Sequence, residues 1–508
     1  MMKITFIYPD LNYFDDKRDW AGVFSLGLGY LSASVKKAGH MSSLIHIVKP
    51  IEREEFYEKI DYHQPDLIGF SSMSHQYDII KQLASWVKDE YNIPVIYGGV
   101  HPSINPEGCI NTPGIDMICI GEGEKVVVEL LNRMDNGENI KDIDSIWFKE
   151  NGKVYRNKVA DLVEDIDEFP IPDREVFDYK NLWDYRERVL IVFATRGCPF
   201  NCSYCINHQY RRLYPNYKKY VRFRRPEKII EEIKLVKEKY PEMRYVVFLD
   251  DSFCVKKSWL KDFLPLYKNE IGMPFNANTS INLLDEEVIA WCVDAGAKEF
   301  AVGIESGNDT IRREVLGRRM SNEKMYEIFR IVKRYGLRLS SYNMVGIPHE
   351  TFENTLETVK INAKVDSSAQ HVAILQPYKF TDLYDLCKRE GYLKDEKISS
   401  FFKESVLELP TISKDEIKFA YKYFMIFIRL YELVYKIPFK KISNLLENVL
   451  DWFYLNKRLK RFQMMIYPLS FFLVRPIKFA RIYTLRYFPK TGYRIKRFLV
   501  RLKLMKKE

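Results

Sequence analysis

Short apolar runs alternate with amphipathic helical stretches through the first 130 residues. Residues 3–8, 41–48, 65–71, 94–97 and 117–120 have strand length and composition, while 28–38 and 77–90 repeat apolar positions at helical spacing, the first stopping at Gly39. Strands alternating with helices of this length build βαβ units, so the pattern predicts an α/β chain that opens with a doubly wound parallel sheet. Ligands of such sheets sit beyond the carboxyl ends of the strands. Those ends carry Ser71-Ser72-Met73-Ser74, Gly98-Gly99-Val100-His101-Pro102 and Gly121-Glu122-Gly123-Glu124. Glycine there lets a backbone approach a bulky ligand, although the same glycines also serve as ordinary turn residues.

The alternation lapses over 131–185, which is charged and turn-rich, with DIDEFPIP at 165–172 reading as a linker. It then restarts, with strands expected at 189–194, 245–249, 275–280, 300–304, 339–345 and 370–375. Helical patterns fall at 227–240, 258–268, 285–295, 322–335 and 352–363. Six strands with intervening helices predict a partial (β/α)6 barrel whose chemistry gathers at the strand carboxyl ends. Beyond about residue 401 the chain reads as mainly helical. The expected organisation is therefore a first domain over 1–140, a linker over 141–185, a barrel over 186–400 and a helical basic region over 401–508.

Directly after the first barrel strand comes Thr195-Arg196-Gly197-Cys198-Pro199-Phe200-Asn201-Cys202-Ser203-Tyr204-Cys205. Three thiolates in one loop suit a soft metal site. A zinc finger sets four ligands in two separated pairs, and no second CxxC exists in this chain. Three ligands leave one metal position open, as a [4Fe–4S] cluster with a unique iron requires; the bland reading is three unligated loop cysteines. Cys109, Cys119, Cys254, Cys292 and Cys387 are scattered. Cys119 and Cys292 lie in apolar patterns and read as core, and Cys254 reads as packing.

The CxxxCxxC string, with Tyr204 before its last cysteine, resembles the signature of the radical SAM enzymes. The resemblance implies that Cys198, Cys202 and Cys205 hold a [4Fe–4S] cluster whose fourth iron S-adenosyl-L-methionine (SAM) chelates, for reductive cleavage to a 5′-deoxyadenosyl radical. A low-potential electron donor such as flavodoxin or ferredoxin is implied with it. Further segments are similar to the family's SAM contacts: Asp250 and Asp251 after the second strand, Glu305 in Gly303-Ile304-Glu305-Ser306-Gly307, and Gly346 in Met344-Val345-Gly346-Ile347-Pro348. Asp250 and Asp251 equally read as a helix N-cap pair. His349-Glu350-Thr351 stands where relatives often have Gly-Glu-Thr, and Lys379-Phe380-Thr381 where they often have Pro-Gly-Thr.

The N-terminal half resembles the B12-binding members of that family, through Gly27-Leu28-Gly29-Tyr30-Leu31, Lys37-Ala38-Gly39-His40 and the strand-end glycines. The likeness implies cobalamin held by Ser71, Ser72, Gly98, Gly99, His101, Gly121 and Glu122. The DxHxxG motif that supplies an axial histidine in other B12 folds is absent: His46 lacks its Asp and Gly, and His75 and His101 are the alternatives. The leading expectation is a methyltransferase acting on an unactivated carbon. The alternatives are a radical cyclisation, C–C coupling or oxidative rearrangement without cobalamin, and a non-enzymatic cobalamin or Fe–S sensor.

Composition excludes other classes. With 46% hydrophobic residues and 8 Cys in 508 residues, the chain is neither disordered nor a disulfide scaffold. Net charge is +10, yet residues 401–508 hold 24 Lys/Arg against 8 Asp/Glu, so the excess of positive charge is all in the tail. Residues 452–508 alone carry 16 basic residues and one acid, interleaved with aromatics. A solvated bundle, a nucleic-acid patch and a face on an anionic membrane all fit that composition. No RNA-binding module accompanies it, so no nucleic acid is expected and the membrane surface is the reading taken. A small-molecule or lipid substrate, isoprenoids included, follows from it. The opening residues lack a signal-peptide core, and the longest uncharged apolar stretch, 463–474, is about 12 residues with Pro468 inside it, against about 20 for a span. A cytoplasmic enzyme, peripheral on the inner membrane face, is the expectation.

Overall fold

A computed structural model of the chain describes residues 1–11, 21–393, 404–456 and 458–459. The first sheet has seven strands: β1 (Lys3–Pro9), β2 (Met41–Ile47), β3 (Leu67–Ser71), β4 (Val95–Gly98), β5 (Met117–Cys119), β6 (Ile146–Glu150) and β7 (Lys153–Arg156), in the order β2-β1-β3-β4-β5-β6-β7. The first five are parallel and begin where periodicity placed them. β6 and β7 are antiparallel additions. They correct the expected linker over 141–185, whose first part is a hairpin that lengthens this sheet. Only the first residue of β6 is buried, so the hairpin lacks the apolar alternation by which strands are read. The helix Arg53–His63 also went unforeseen, because it buries only Phe56 and Ile60.

The second sheet runs in chain order through β8 (Val189–Val192), β11 (Tyr245–Phe248), β12 (Phe275–Thr279), β13 (Ala297–Glu305), β14 (Arg338–Val345) and β15 (Ala369–Ile374), every pair parallel. β8 and β15 are its two edges, so the barrel is partial, as expected. A two-stranded ribbon of β9 (Thr195–Arg196) and β10 (Arg222–Phe223) crosses the mouth beside β8. Amphipathic helices cover the outside; Asn322–Arg334, for example, buries Met325, Ile328, Phe329, Ile331 and Val332 along one face. After the barrel, the helix Lys414–Tyr435 packs on the helix Phe352–Val365, and Lys440–Leu455 folds back upon both.

The two sheets share one apolar core, from Ile4, Phe6 and Phe24 through Phe177 and Tyr179 to Leu190 and Val246. Residues 166–186 supply its middle, so this segment is packed and not merely a tether. Arg174 anchors it. Its guanidinium lies over the Phe24 ring and bonds the Ile191 carbonyl and Glu232, whose other carboxylate oxygen takes Arg224 at 2.6 Å. All three charges are buried. Removing Glu232 leaves the buried Arg174 without its anion and Arg224 with only Asp167, at 3.6 Å, so Glu232→Ala is expected to lower unfolding stability by about 3–5 kcal/mol. Chemical denaturation followed by circular dichroism reads this; a loss below about 1 kcal/mol would mean that the cations relax into water.

Candidate functional site

The site is organised by the turn that follows β8. Asp250, at the end of β11, accepts the backbone N–H groups of Ala194 and Thr195 and the Thr195 hydroxyl. A buried carboxylate persists only where donors satisfy it, and burial raises its pKa to about 7. Asp250, expected at SAM, is thus turned into the scaffold, where it sets the start of the cysteine loop. Asp251 instead faces a cavity of about 200 Å³, together with Phe193, Gly197, Tyr220 and Leu249.

Gly197 opens the loop at φ +87°, and a Cβ there would lie 2.5 Å from the Tyr220 carbonyl. Cys202 is buried, while Cys198 and Cys205 are half-buried. Burial pushes the Cys198 and Cys205 thiols up to about 12 and about 11. Ser203 pins the loop from both sides: it donates its N–H to Leu316 O and its hydroxyl to Val315 O, and its carbonyl accepts from Leu383. Among the described residues no three His, Cys, Asp or Glu side chains are gathered closely enough for a single metal ion. A [4Fe–4S] cube takes each thiolate on a different iron, which suits three thiols spread along one loop.

Beside the loop lies a triad that the sequence reading only half anticipated. The Tyr204 hydroxyl donates to Glu305 Oε1 at 3.0 Å, and Arg318 donates to the Tyr204 oxygen at 3.1 Å and to Gly303 O at 2.9 Å. The same guanidinium stands 3.7 Å from Cys202 Sγ and 3.9 Å from Glu305. Glu305 sits at φ +67° on a register shift in β13. A Cβ on Gly303 would fall 2.1 Å from its Oε1, so only glycine leaves room for the carboxylate to fold back. Arg318 was missed because nothing local in Gly317-Arg318-Arg319 distinguishes it from a solvated charge; its partners lie up to 116 residues away.

Gly346 takes φ +80° at the end of β14, against Ile417 of the helix Lys414–Tyr435. Its N–H and that of Ile347 both go to Glu350 Oε2. His349, where relatives often carry glycine, occupies the left-handed region at φ +64°.

At the first sheet, Ser71, Gly98, Gly99, Gly121 and Glu122 line a cleft of about 220 Å³ wedged among β1, β3, β4 and the helices Leu26–Lys37 and Glu124–Asn136. Gly27 also lines it, and a Cβ there would stand in open space. Two expected contacts are not part of it. Ser72 is buried against the Tyr97 hydroxyl at 2.6 Å. His101 packs on Tyr77, with Ser74 and Asn105 at its two ring nitrogens, and burial lowers its pKa to about 4. Both side chains turn inward because buried polar atoms must find partners. His46 is held by Asp10 and His75 does not line the cleft, whose walls contain no histidine.

Glu122, besides lining the cleft, ties the two domains together. Its carboxylate takes Arg222 at 2.6 Å and Arg196 at 3.3 Å, while Arg196 reaches Glu124 at 2.6 Å and lies over the rings of Tyr30 and Phe169, which meet edge to face. Tyr214, just beyond the helix Ile206–Arg212, adds a contact: its hydroxyl accepts the Glu122 N–H and lies where a Cβ of Gly121 would be. The glycine-rich strand ends are thereby clamped to the strand that leads into the cysteines. The two cavities share Glu122, Phe193 and Arg196.

A doubly wound sheet docked on a partial (β/α)6 barrel, with a three-cysteine loop at their junction, defines the class. The Radical SAM superfamily pattern matches residues 192–361 and the B12 binding domain pattern residues 22–131. The chain belongs to the radical SAM enzymes that carry a B12 binding domain. It is 27% identical over 365 residues to an uncharacterised methyltransferase of Pyrococcus horikoshii, covering 71% of this chain and 77% of that one. It is 24% identical to the anaerobic magnesium-protoporphyrin IX monomethyl ester cyclase of Rubrivivax gelatinosus, covering 75% and 69%. Its fold is similar to that of the radical S-adenosylmethionine methyltransferase TsrM of Kitasatospora setae, solved with cobalamin and a [4Fe-4S] cluster, at TM-score 0.63, 15% identity and coverage of 77% and 75%.

Glu350 yields a signed pH prediction. It is fully buried, Oε1 has no hydrogen-bond partner, and burial raises its pKa from 4.5 to about 8. A carboxyl raised in the folded state takes up a proton on folding between those values. Its contribution to stability is therefore greatest below about 4.5, falls as pH rises, and levels off above about 8. Glu350→Gln keeps an acceptor for Gly346 and Ile347 but removes the titration. The variant is expected to match or trail wild type near about pH 4.5 and to gain on it by up to about 1.4 kcal/mol per pH unit towards pH 8, as read by denaturation midpoints. Parallel pH profiles would show that the carboxyl is solvated.

Proposed function

We propose that this radical SAM enzyme is a cobalamin-dependent methyltransferase acting at an unactivated carbon of a small-molecule or lipid substrate. The observation that supports the proposal is the wall of Glu122, Phe193 and Arg196 that the first sheet's cleft shares with the cavity of Gly197 and Asp251, which would set a ligand of the one beside a ligand of the other. When bound, the cluster with SAM supplies a 5′-deoxyadenosyl radical and cobalamin supplies a methyl group. Cys198, Cys202 and Cys205 would hold the cluster. Asp251 and the Tyr204–Glu305–Arg318 triad would hold SAM, with Asp250 and Glu350 positioning the turns beside them and Gly346 giving close approach. Ser71, Gly98, Gly99, Gly121 and Gly27 would cradle cobalamin, in a cleft whose walls contain no histidine.

A radical formed there must meet only substrate, which requires that bound ligands exclude water from the site. A flavodoxin or ferredoxin would deliver the electron in a reducing cytoplasm. The finer reading, a lipid or isoprenoid substrate met at the inner membrane face, rests on the basic, aromatic composition of 452–508, nearly all of which lies outside the described residues. The resemblance to a ring-forming cyclase favours one second reading: radical cyclisation or coupling with no methyl transferred.

Anaerobic reconstitution with iron, sulfide and hydroxocobalamin, followed by metal analysis, separates the two. About four irons and about one cobalt per chain are expected; about four irons without cobalt would move the assignment to cyclisation. Cys202→Ala is expected to lose the cluster and 5′-deoxyadenosine formation. Product formation retained in that variant would end the radical assignment.

A further inference from the structure

The helix Lys440–Leu455 is amphipathic in the inverted sense. Its polar side faces the body of the protein: Glu447 and Asp451 both take Lys360, at 2.9 and 2.7 Å, and accept the hydroxyls of Tyr435 and Tyr431. Tyr454, wholly buried, meets Thr355 at 2.9 Å. This ion-paired network fixes the helix rotation. The opposite side carries Ile442, Leu445, Leu446, Val449, Trp452 and Phe453, spaced i, i+3, i+4, i+7 along a single stripe, with Leu445 63% and Trp452 61% exposed. Phe439, in the preceding turn, is 67% exposed and Leu433 64%, so the stripe continues past the helix start. An apolar face of this extent on a soluble surface marks a contact site.

Charge decides what covers it. Lys436, Lys440 and Lys441 rim one end of the stripe, all exposed and without an ion pair among the described residues. Residues 452–508, which continue from the other end, hold 16 Lys/Arg and one acid. A second copy of the chain, or this chain's own basic tail, would bring like charge against those lysines. An apolar surface with fixed negative charge at its edge has neither defect. We propose that this stripe is the face by which the protein lies on an anionic lipid bilayer, with Leu445, Val449 and Trp452 in the acyl boundary and the lysines at the headgroups. No helix among the described residues is long and apolar enough to cross a membrane, so the contact is interfacial. The inference deepens the lipid reading above and is separable from it, because vesicle binding needs no radical chemistry.

The test uses the full chain with vesicles of equal parts phosphatidylglycerol and phosphatidylcholine, against pure phosphatidylcholine. The protein is expected to sediment with the anionic vesicles only, and the Leu445→Glu/Val449→Glu variant to lose roughly tenfold in bound fraction. Its thermal melt should match wild type, since both side chains are exposed. Bromine-labelled acyl chains are expected to quench tryptophan fluorescence in wild type and to quench Trp452→Phe distinctly less, a readout independent of the double variant. Wild type left in the supernatant, or a variant that sediments equally, would overturn the proposal. So would a lipid-free dimer that the variant dissociates, which would assign the stripe to a second copy. Sedimentation retained without any methylated product would count against the methyltransferase reading alone.

Discussion

Everything at the centre of this molecule depends on where Arg196 is held. One residue ahead of the cysteine loop, it is drawn towards Glu124 and Glu122 beyond the end of β5 and lies over the rings of Tyr30 and Phe169. A guanidinium withdrawn from water to this degree needs such partners, and all of them lie outside the barrel. The start of the cysteine loop is therefore tied to the first domain as well as to the barrel. Arg222 repeats the constraint from β10 on the same Glu122. The cleft of one sheet and the cavity beside the other lie on either side of these charges and share Glu122, Phe193 and Arg196 as wall.

Around that joint, most candidate groups are positioned by backbone demands. Gly197, Gly303 and Gly121 each stand where a Cβ would strike a carbonyl, a carboxylate or a phenol. Asp250 and Glu350 use their carboxylates on peptide N–H groups at the ends of β8 and β14. Those two acids thus shape turns, which leaves Asp251 and Glu305 as the acids nearest to chemistry. A site made this way is rigid before any ligand arrives, as radical chemistry requires if the reactive species is to meet substrate alone.

The C-terminal helices follow another logic. Lys360, Glu447 and Asp451 bind the last described helix to the barrel through charge, although its apolar residues would ordinarily have done so. The usual direction of amphipathic packing is reversed, and the apolar stripe is left for something other than the core. Composition had pointed to this region through its basic residues; the stripe itself depends on which way the helix is turned.

The periodicity of the chain by itself determined the five parallel strands of the first sheet, the six of the barrel and the place of the cysteine loop between them. Each of those signals lives within a few residues: alternation, helical spacing, a glycine stop, CxxxCxxC. What only the tertiary structure decided is partnership. Ser72 and His101 sit at strand ends but turn inward to Tyr97 and Tyr77; Glu122 pairs across 74 and 100 residues; Arg318 reaches Cys202 across 116. A hairpin over 146–156 shows no alternation of buried and exposed faces, because its side chains are largely half-buried. Local pattern reports what a segment buries, whereas a buried charge is satisfied by whatever the fold brings to it, and that neighbour is not written beside it in the chain.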